Sequence, residues 1–135
     1  MKTKSTLNNF FFPTLVVICA GLITTGFATG KTKSPWTHLD RILLSTALAL
    51  HGSDWMMTKD GIYKKGLQEG NYFLGDHPDK ENIDIYFAST AVGMSALSAT
   101  SSKRQRRALL ILWNFMELVS VMHNHSTGVR IEIKI

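Results

Sequence analysis

The chain has 135 residues, a net charge of +5 and 44% hydrophobic residues, which bounds it to one domain. A basic balance would suit nucleic acid, but Lys and Arg here flank apolar runs, so they read as topology and headgroup charges and no nucleic-acid partner is expected. The single cysteine, Cys19, excludes an intramolecular disulfide.

Charge is gathered at Met1–Lys4, Lys31–Arg41, Lys59–Asp84, Lys103–Arg107 and the C-terminus, leaving apolar or small-residue runs at Phe10–Ala28, Ile42–Met57, Ile85–Ser102 and Ala108–Met122. Such blocks read as a multi-span membrane chain, whose backbone must be satisfied internally as helices or a closed barrel. The first run follows a basic start and is followed by Ala28-Thr29-Gly30, small residues at cleavage-like spacing. At about 19 residues it is also just long enough to span. Residues 1–30 therefore read as a signal peptide or signal-anchor helix, and 31–135 as a helical membrane domain. Ile18 is a poor neighbour for a lipid-attachment cysteine, so Cys19 reads as a small apolar residue.

The second run opens at Ser34-Pro35-Trp36-Thr37, where either Ser34 caps with Pro35 in the first turn or Thr37 caps with Asp40 in a capping box. The helix is expected to reach Thr58 or Lys59, with Gly61 ending it. Asp40, Leu44, Ala47, His51, Asp54 and Thr58 are spaced four, three, four, three and four apart, so they share one face. Ile42, Leu43, Leu50 and Met57 are left for the apolar surface.

Gly61–Asp84 is a polar connection punctuated by Gly66, Gly70, Gly75 and Pro78, expected to pack on the bundle with a short helix near Ile62–Glu69. The next helix, roughly Asn82–Ser101, sets Ser89 and Gly93, and Ala91, Ser95 and Ala99, four apart, which predicts close helix packing. The last helix, roughly Arg106–Asn124, carries Asn114, Glu117, Ser120 and Asn124 on one side. Val129–Ile135 alternates in a strand-like way. The Lys103–Arg107 run reads as a topology signal.

Asp54-x-x-x-Thr58, then Glu69-Gly-Asn71-Tyr-Phe-Leu-Gly75-Asp-His77-Pro78, Tyr86-Phe87, Glu117, Asn124 and Gly128-Val129-Arg130 together resemble an uncharacterised family of small bacterial multi-pass membrane proteins. In that family an aspartate and threonine end one helix, and a Glu-x-Asn-Pro-x-Leu-Gly-x-His-Pro loop follows. Tyr72 stands where the family has proline. The resemblance covers about Pro35–Arg130. It implies the bacterial inner membrane and supplies no reaction.

The expected architecture is thus all-α, a small transmembrane bundle of three or four helices with a packed polar loop. Its partners are the lipid bilayer and a second copy or another membrane protein. The candidate polar cluster is His51, Asp54, Thr58, Glu69, Asn71, His77, Asn114, Glu117 and His123. Two readings of it stand side by side. In one, these groups are structural polar contacts between helices and within the loop. In the other, Asp54, Glu69 and Glu117 build a proton, ligand or metal site with enzyme or transport activity. No metal or cofactor is expected from motifs: His123 and His125 lie two apart on different faces, and phosphate loops, a His-Glu-x-x-His and a Gly-x-Ser-x-Gly elbow are absent.

Overall fold

The computed structural model describes residues 34–67, 74–75 and 78–129. Three helices occupy them: α1, His38–Lys65; α2, Lys80–Thr100; and α3, Lys103–Ser126. The chain is an all-α helical bundle. The leader, Cys19, the 68–73 stretch of the loop, 76–77 and the strand-like tail beyond Val129 lie outside the described residues.

Of the two possible starts for α1, the chain uses Thr37. Its hydroxyl accepts from the Asp40 N–H (3.2 Å) and its own N–H donates to Asp40 Oδ2 (2.9 Å), a closed capping box. The helix does not stop at Gly61. It runs one further turn to Gly66, whose left-handed φ of 62° closes it, so Ile62–Lys65 are the last turn of α1 and not a separate helix. Gly61 is there for closeness: a Cβ at that position would sit 3.3 Å from Val129 Cγ2. Lys64 and Lys65 favour the negative end of the helix dipole. Lys65 Nζ also donates to the Gly128 carbonyl, which ties this end of α1 to the turn after α3.

Asp79 caps α2 by accepting from the Asn82 N–H at 2.7 Å. Ser101 and Ser102 are the whole connection to α3, and the side-chain carbonyl of Gln105 accepts from the Ser102 N–H and hydroxyl. So short a turn forces α2 and α3 antiparallel. Asp40 meets Arg106 and His51 meets Glu117, both pairs 66 residues apart, so α1 and α3 run parallel. The order is up, down, up.

The α1–α3 contact is the main one. On α1 the inward row is Asp40, Leu44, Ala47, His51, Asp54 and Thr58; on α3 it is Arg106, Leu110, Trp113, Glu117, Ser120 and Asn124. Both rows alternate steps of four and three, the seven-residue repeat of a parallel seam. Ala47, Leu110 and Trp113 form the apolar centre, with Leu43, Leu44, Trp36 and Met94 packed against it.

Two expectations fail. Met57 is buried, not part of the outer surface, because the last turns of α1 are covered on more than one side. On α2 the small residues are not the packing face: Ser89, Gly93 and Ala99 are exposed, nothing lies within 4 Å of a Cβ on Gly93, and the buried residues are Ile83, Phe87 and Ser98. Large apolar side chains and Ser98 fit the groove between α1 and α3, leaving the small ones outside. Among the described residues no helix is long and apolar enough to cross a membrane. All three reach membrane length at about 1.5 Å per residue. On α1 and α3 both the polar row turned inward and exposed charged residues such as Arg41, Lys64, Lys65, Lys103 and Arg104 lower apolarity.

Glycine substitutions separate conformational cost from contact. Gly52 lies in the helix with nothing within 4 Å of its Cβ position, so Gly52→Ala is expected to stabilise the fold by about 0.5–1 kcal/mol. Gly61→Val pushes on Val129 and is expected to destabilise by about 1–3 kcal/mol. Denaturant unfolding followed by circular dichroism reads both, and shifts of the same sign would contradict this packing.

Candidate functional site

The polar residues of the seam meet in successive layers. At the first, Arg106 is fully buried and each of its five N–H groups has an acceptor. Nε donates to Ser98 O (3.0 Å), Nη1 to Pro35 O and Asp40 Oδ2 (both 3.3 Å), and Nη2 to Ser34 O (2.7 Å) and Ser101 O (3.3 Å). The guanidinium also lies over the Trp36 ring, 4.6 Å from its centroid. Arg107 Nε reaches the other Asp40 oxygen at 3.1 Å. Burial opposes ionisation of Asp40, but the Thr37 N–H and hydroxyl together with Arg107 overcome it and hold the carboxyl at about 2. The Arg run is therefore not simply a topology signal: Arg106 is interior and Arg107 is drawn onto Asp40.

The next polar contact is Asn114. Its Nδ2 donates to Leu43 O across the seam (2.8 Å) and to Leu110 O on its own helix (2.7 Å).

The central layer is His51 with Glu117. His51 Nε2 lies 2.9 Å from the Phe87 carbonyl of α2, and a carbonyl only accepts, so Nε2 carries a hydrogen. Nδ1 lies 2.7 Å from Glu117 Oε1, and the Trp113 indole N–H donates to that same oxygen at 2.8 Å. Oε2 of Glu117 is buried without a hydrogen-bond partner. The His51 ring is walled by Phe87 (4.9 Å between centroids) and the edge of Trp113 (5.7 Å).

Beyond it, Asn124 Nδ2 donates to Asp54 Oδ1 at 2.6 Å, and Thr58 is buried one turn further along α1. At this end of the bundle a separate surface cluster forms, where Asp84 of α2 accepts from Lys59 Nζ (2.7 Å) and Trp55 Nε1 (2.8 Å). Those two donors hold the Asp84 carboxyl below the usual carboxylate range.

The structure thus brings His51 to Glu117, Asp54 to Asn124 and Asn114 to the α1 backbone. It gives Asp54 and Glu117 different partners. His123 is exposed near the end of α3. Glu69, Asn71 and His77 lie outside the described residues. Among the described residues no group of three His, Cys, Asp or Glu side chains is placed to hold a metal ion. Sequence reasoning missed Arg106, Trp113 and the Phe87 carbonyl. For the first two a signal existed, since Arg106, Leu110, Trp113 and Glu117 continue the four-three spacing. A backbone acceptor on a third helix has no sequence signal. No protein-family profile, curated protein or solved structure matches the chain.

Two substitutions test the first layer. Arg106→Leu removes one partner of a buried ion pair and is expected to cost about 3–5 kcal/mol. Asp40 is held below its ordinary 3.8, so its contribution is complete above pH 4 or so and is lost as pH falls towards 2. Acid unfolding between those limits should steepen in the native chain, and Asp40→Asn should flatten it. An unchanged acid profile would show that the Asp40 contacts do not persist in solution.

Proposed function

We propose that this chain is a small integral membrane protein with a structural or interaction role, its three described helices presenting apolar side chains to lipid and burying Asp40, Arg106 and Glu117 between them. One observation carries the reading: charged groups are buried between the helices while large apolar side chains stand outside. Asp40 and Arg106 are 0% exposed and His51 4%, while Val92 is 70% exposed, Met122 63%, Ile85 58%, Ile111 57% and Phe115 55%. Charged groups are the residues least often buried in a water-soluble domain, and large contiguous apolar surface is uncommon there. In hydrocarbon the preference reverses, and buried polar contacts between helices replace the hydrophobic drive.

On α3 the outward residues Ile111, Phe115, Leu118 and Met122 form a second row, spaced four, three and four, opposite the inward one. The low apolarity of each helix taken alone is compatible with this seating, because a helix inserted beside its partners need not present its polar row to lipid. Lys59, Asp84, Lys80 and Tyr63 gather at one end of the bundle and the exposed Lys103 and Arg104, with Arg107 and Trp36, stand at the other, where headgroups would meet them. The resemblance to small bacterial multi-pass proteins supports the same reading and implies an inner membrane as the location.

A second reading, a proton, ligand or metal site with enzyme or transport activity, is favoured by the bare Oε2 of Glu117. Glu69 belongs to that reading from sequence, outside the described residues.

Two experiments separate these. A protease site inserted after Gly30 in the full chain is cut in isolated membranes, which are then washed with alkaline carbonate. Residues 31–135 are expected to stay in the pellet; release into the supernatant would end the membrane reading. Asp54→Asn and Glu117→Gln keep the shape and the Oδ1 and Oε1 acceptors. With a structural role each is expected to leave the protein folded, losing about 1–2 kcal/mol and no cellular phenotype. Loss of the protein's cellular function with intact folding would favour the second reading.

A further inference from the structure

The outer face of α2 is uncharged without being bulky. From Ile85 to Thr100 the helix carries no charge, and apart from Ile85 and Val92 its exposed positions there are small, Ser89, Gly93, Ala96 and Ala99 among them. Val92, 70% exposed, is the most exposed large apolar side chain among the described residues, and nothing lies within 4 Å of a Cβ on Gly93. The outward row of α3 differs, since Ile111, Phe115, Leu118 and Met122 are all large. Large side chains suit lipid tails, whereas small ones let a second helix come close.

The point where the chain enters the bundle selects the occupant. Arg106 Nη2 donates to both Ser34 O (2.7 Å) and Ser101 O (3.3 Å), and Nε donates to Ser98 O (3.0 Å). Ser34, the first described residue, is thereby held against the C-terminal end of α2. Upstream of it, outside the described residues, the sequence carries the uncharged run Phe10–Ala28. A helix of that run, about 19 residues, would measure about 28 Å, against about 31 Å for the 21 residues of α2. Residues 29–33, at up to about 3.5 Å each, are long enough for the run to turn back at this end and follow α2. The run has its own small residues four apart, Ala20, Thr24 and Ala28, and Gly21 and Thr25. They fall in its C-terminal half, the half that would lie against Ser89, Gly93, Ala96 and Ala99.

We propose that Phe10–Ala28 is retained in the mature chain and packs lengthwise on the outer face of α2 as a fourth helix. It runs parallel to α2 and antiparallel to α1 and α3, and its C-terminal end lies at the Arg106 end of the bundle. Small residues meet small residues at the crossing, and Ile85 and Val92 are covered. The inference decides between a cleaved leader and an anchor for residues 1–30. It does not depend on the membrane reading, because a bundle in water also gains from covering Ile85 and Val92.

The arrangement fixes the depth of Cys19. With Ala28 opposite Thr100, Cys19 is level with Ala91, between the exposed Ser89 and Gly93. The His51 contacts with Phe87 and Glu117 relate depths across the bundle, and the same depth is held by Thr46 on α1 and Ile111 on α3, both exposed.

Cys19 is the single cysteine of the chain, so one added cysteine creates one possible internal pair. The test is oxidation with copper phenanthroline in freshly opened cells of the full chain carrying Ser89→Cys, Gly93→Cys, Thr46→Cys or Ile111→Cys. Free thiols are then counted after denaturation by the gel shift of a maleimide polymer. A disulfide needs Cα atoms within about 7 Å. Ser89→Cys or Gly93→Cys is therefore expected to lose both thiols while staying monomeric on a non-reducing gel, and Thr46→Cys and Ile111→Cys to keep both. Free thiols in both α2 variants would overturn the proposal, as would equal or greater loss at Thr46 or Ile111. A covalent dimer in place of the internal bond would also overturn it and give the face to a second copy. Ser89→Cys changes only oxygen for sulfur at an exposed position, so folding does not cloud the reading. The intact mass of the native chain is a second check: it is expected to include Phe10–Ala28, and a mature chain beginning near Lys31 would remove the occupant and refute the proposal.

Discussion

The buried guanidinium of Arg106 is the constraint from which the rest of the bundle follows. A charge taken out of water must recover its hydration from the protein, and an unpaired one is prohibitively costly. Arg106 recovers it through five donated hydrogen bonds to four separate parts of the chain: the segment before α1, Asp40 in the first turn of α1, Ser98 in the last turn of α2, and Ser101 in the α2–α3 turn. Lysine has neither the number of donors nor the planar fork. The three helices can be assembled at this end only with that turn against the start of α1.

Once Asp40 and Arg106 are paired, the register of the parallel seam is set. The same 66-residue separation carries His51 onto Glu117. A slip of one turn one way would set Arg106 against Leu44, His51 against Trp113 and Glu117 against Asp54, and the other way Asp40 against Leu110 and Glu117 against Ala47. Buried polar layers in helical seams commonly act in this way, giving up some stability against an apolar alternative to specify one alignment. Here they alternate with an apolar centre of Ala47, Leu110 and Trp113, so alignment and cohesion come from different layers.

α2 enters this scheme mainly through its backbone. The Phe87 carbonyl receives His51 Nε2 and the Ser98 carbonyl receives Arg106 Nε, both carbonyls on the helix antiparallel to the seam. A carbonyl can only accept, which makes α2 the element that fixes the hydrogen on His51 Nε2. Ile85, Val92, Ile111, Phe115 and Met122 stand outward, and their combination with buried charge supports the membrane reading. The interior and exterior assignments are two sides of one partition of each helix.

Much of this partition is legible along the chain. The four-three spacing of Asp40, Leu44, Ala47, His51, Asp54 and Thr58 marks one face of α1 because helical periodicity is a local property, and Thr37 with Asp40 marks its start because a capping box closes within one turn. The end of α1 was not legible: Gly61 has the character of a terminator, and only the proximity of Val129, from the far end of the described chain, explains a glycine inside the helix. Nor could Lys103–Arg107 be divided by inspection into exposed Lys103 and Arg104 and buried Arg106, since a basic residue is interior only if acceptors converge on it. Those acceptors are backbone carbonyls of Ser34, Pro35, Ser98 and Ser101 and one carboxylate, and carbonyls carry no residue identity. By itself the sequence determined the helices and the polar faces of α1 and α3. Which polar groups meet, and which oxygens remain bare, was decided only when α1, α2 and α3 closed on one another, because a hydrogen bond between helices depends on relative position and not on local order.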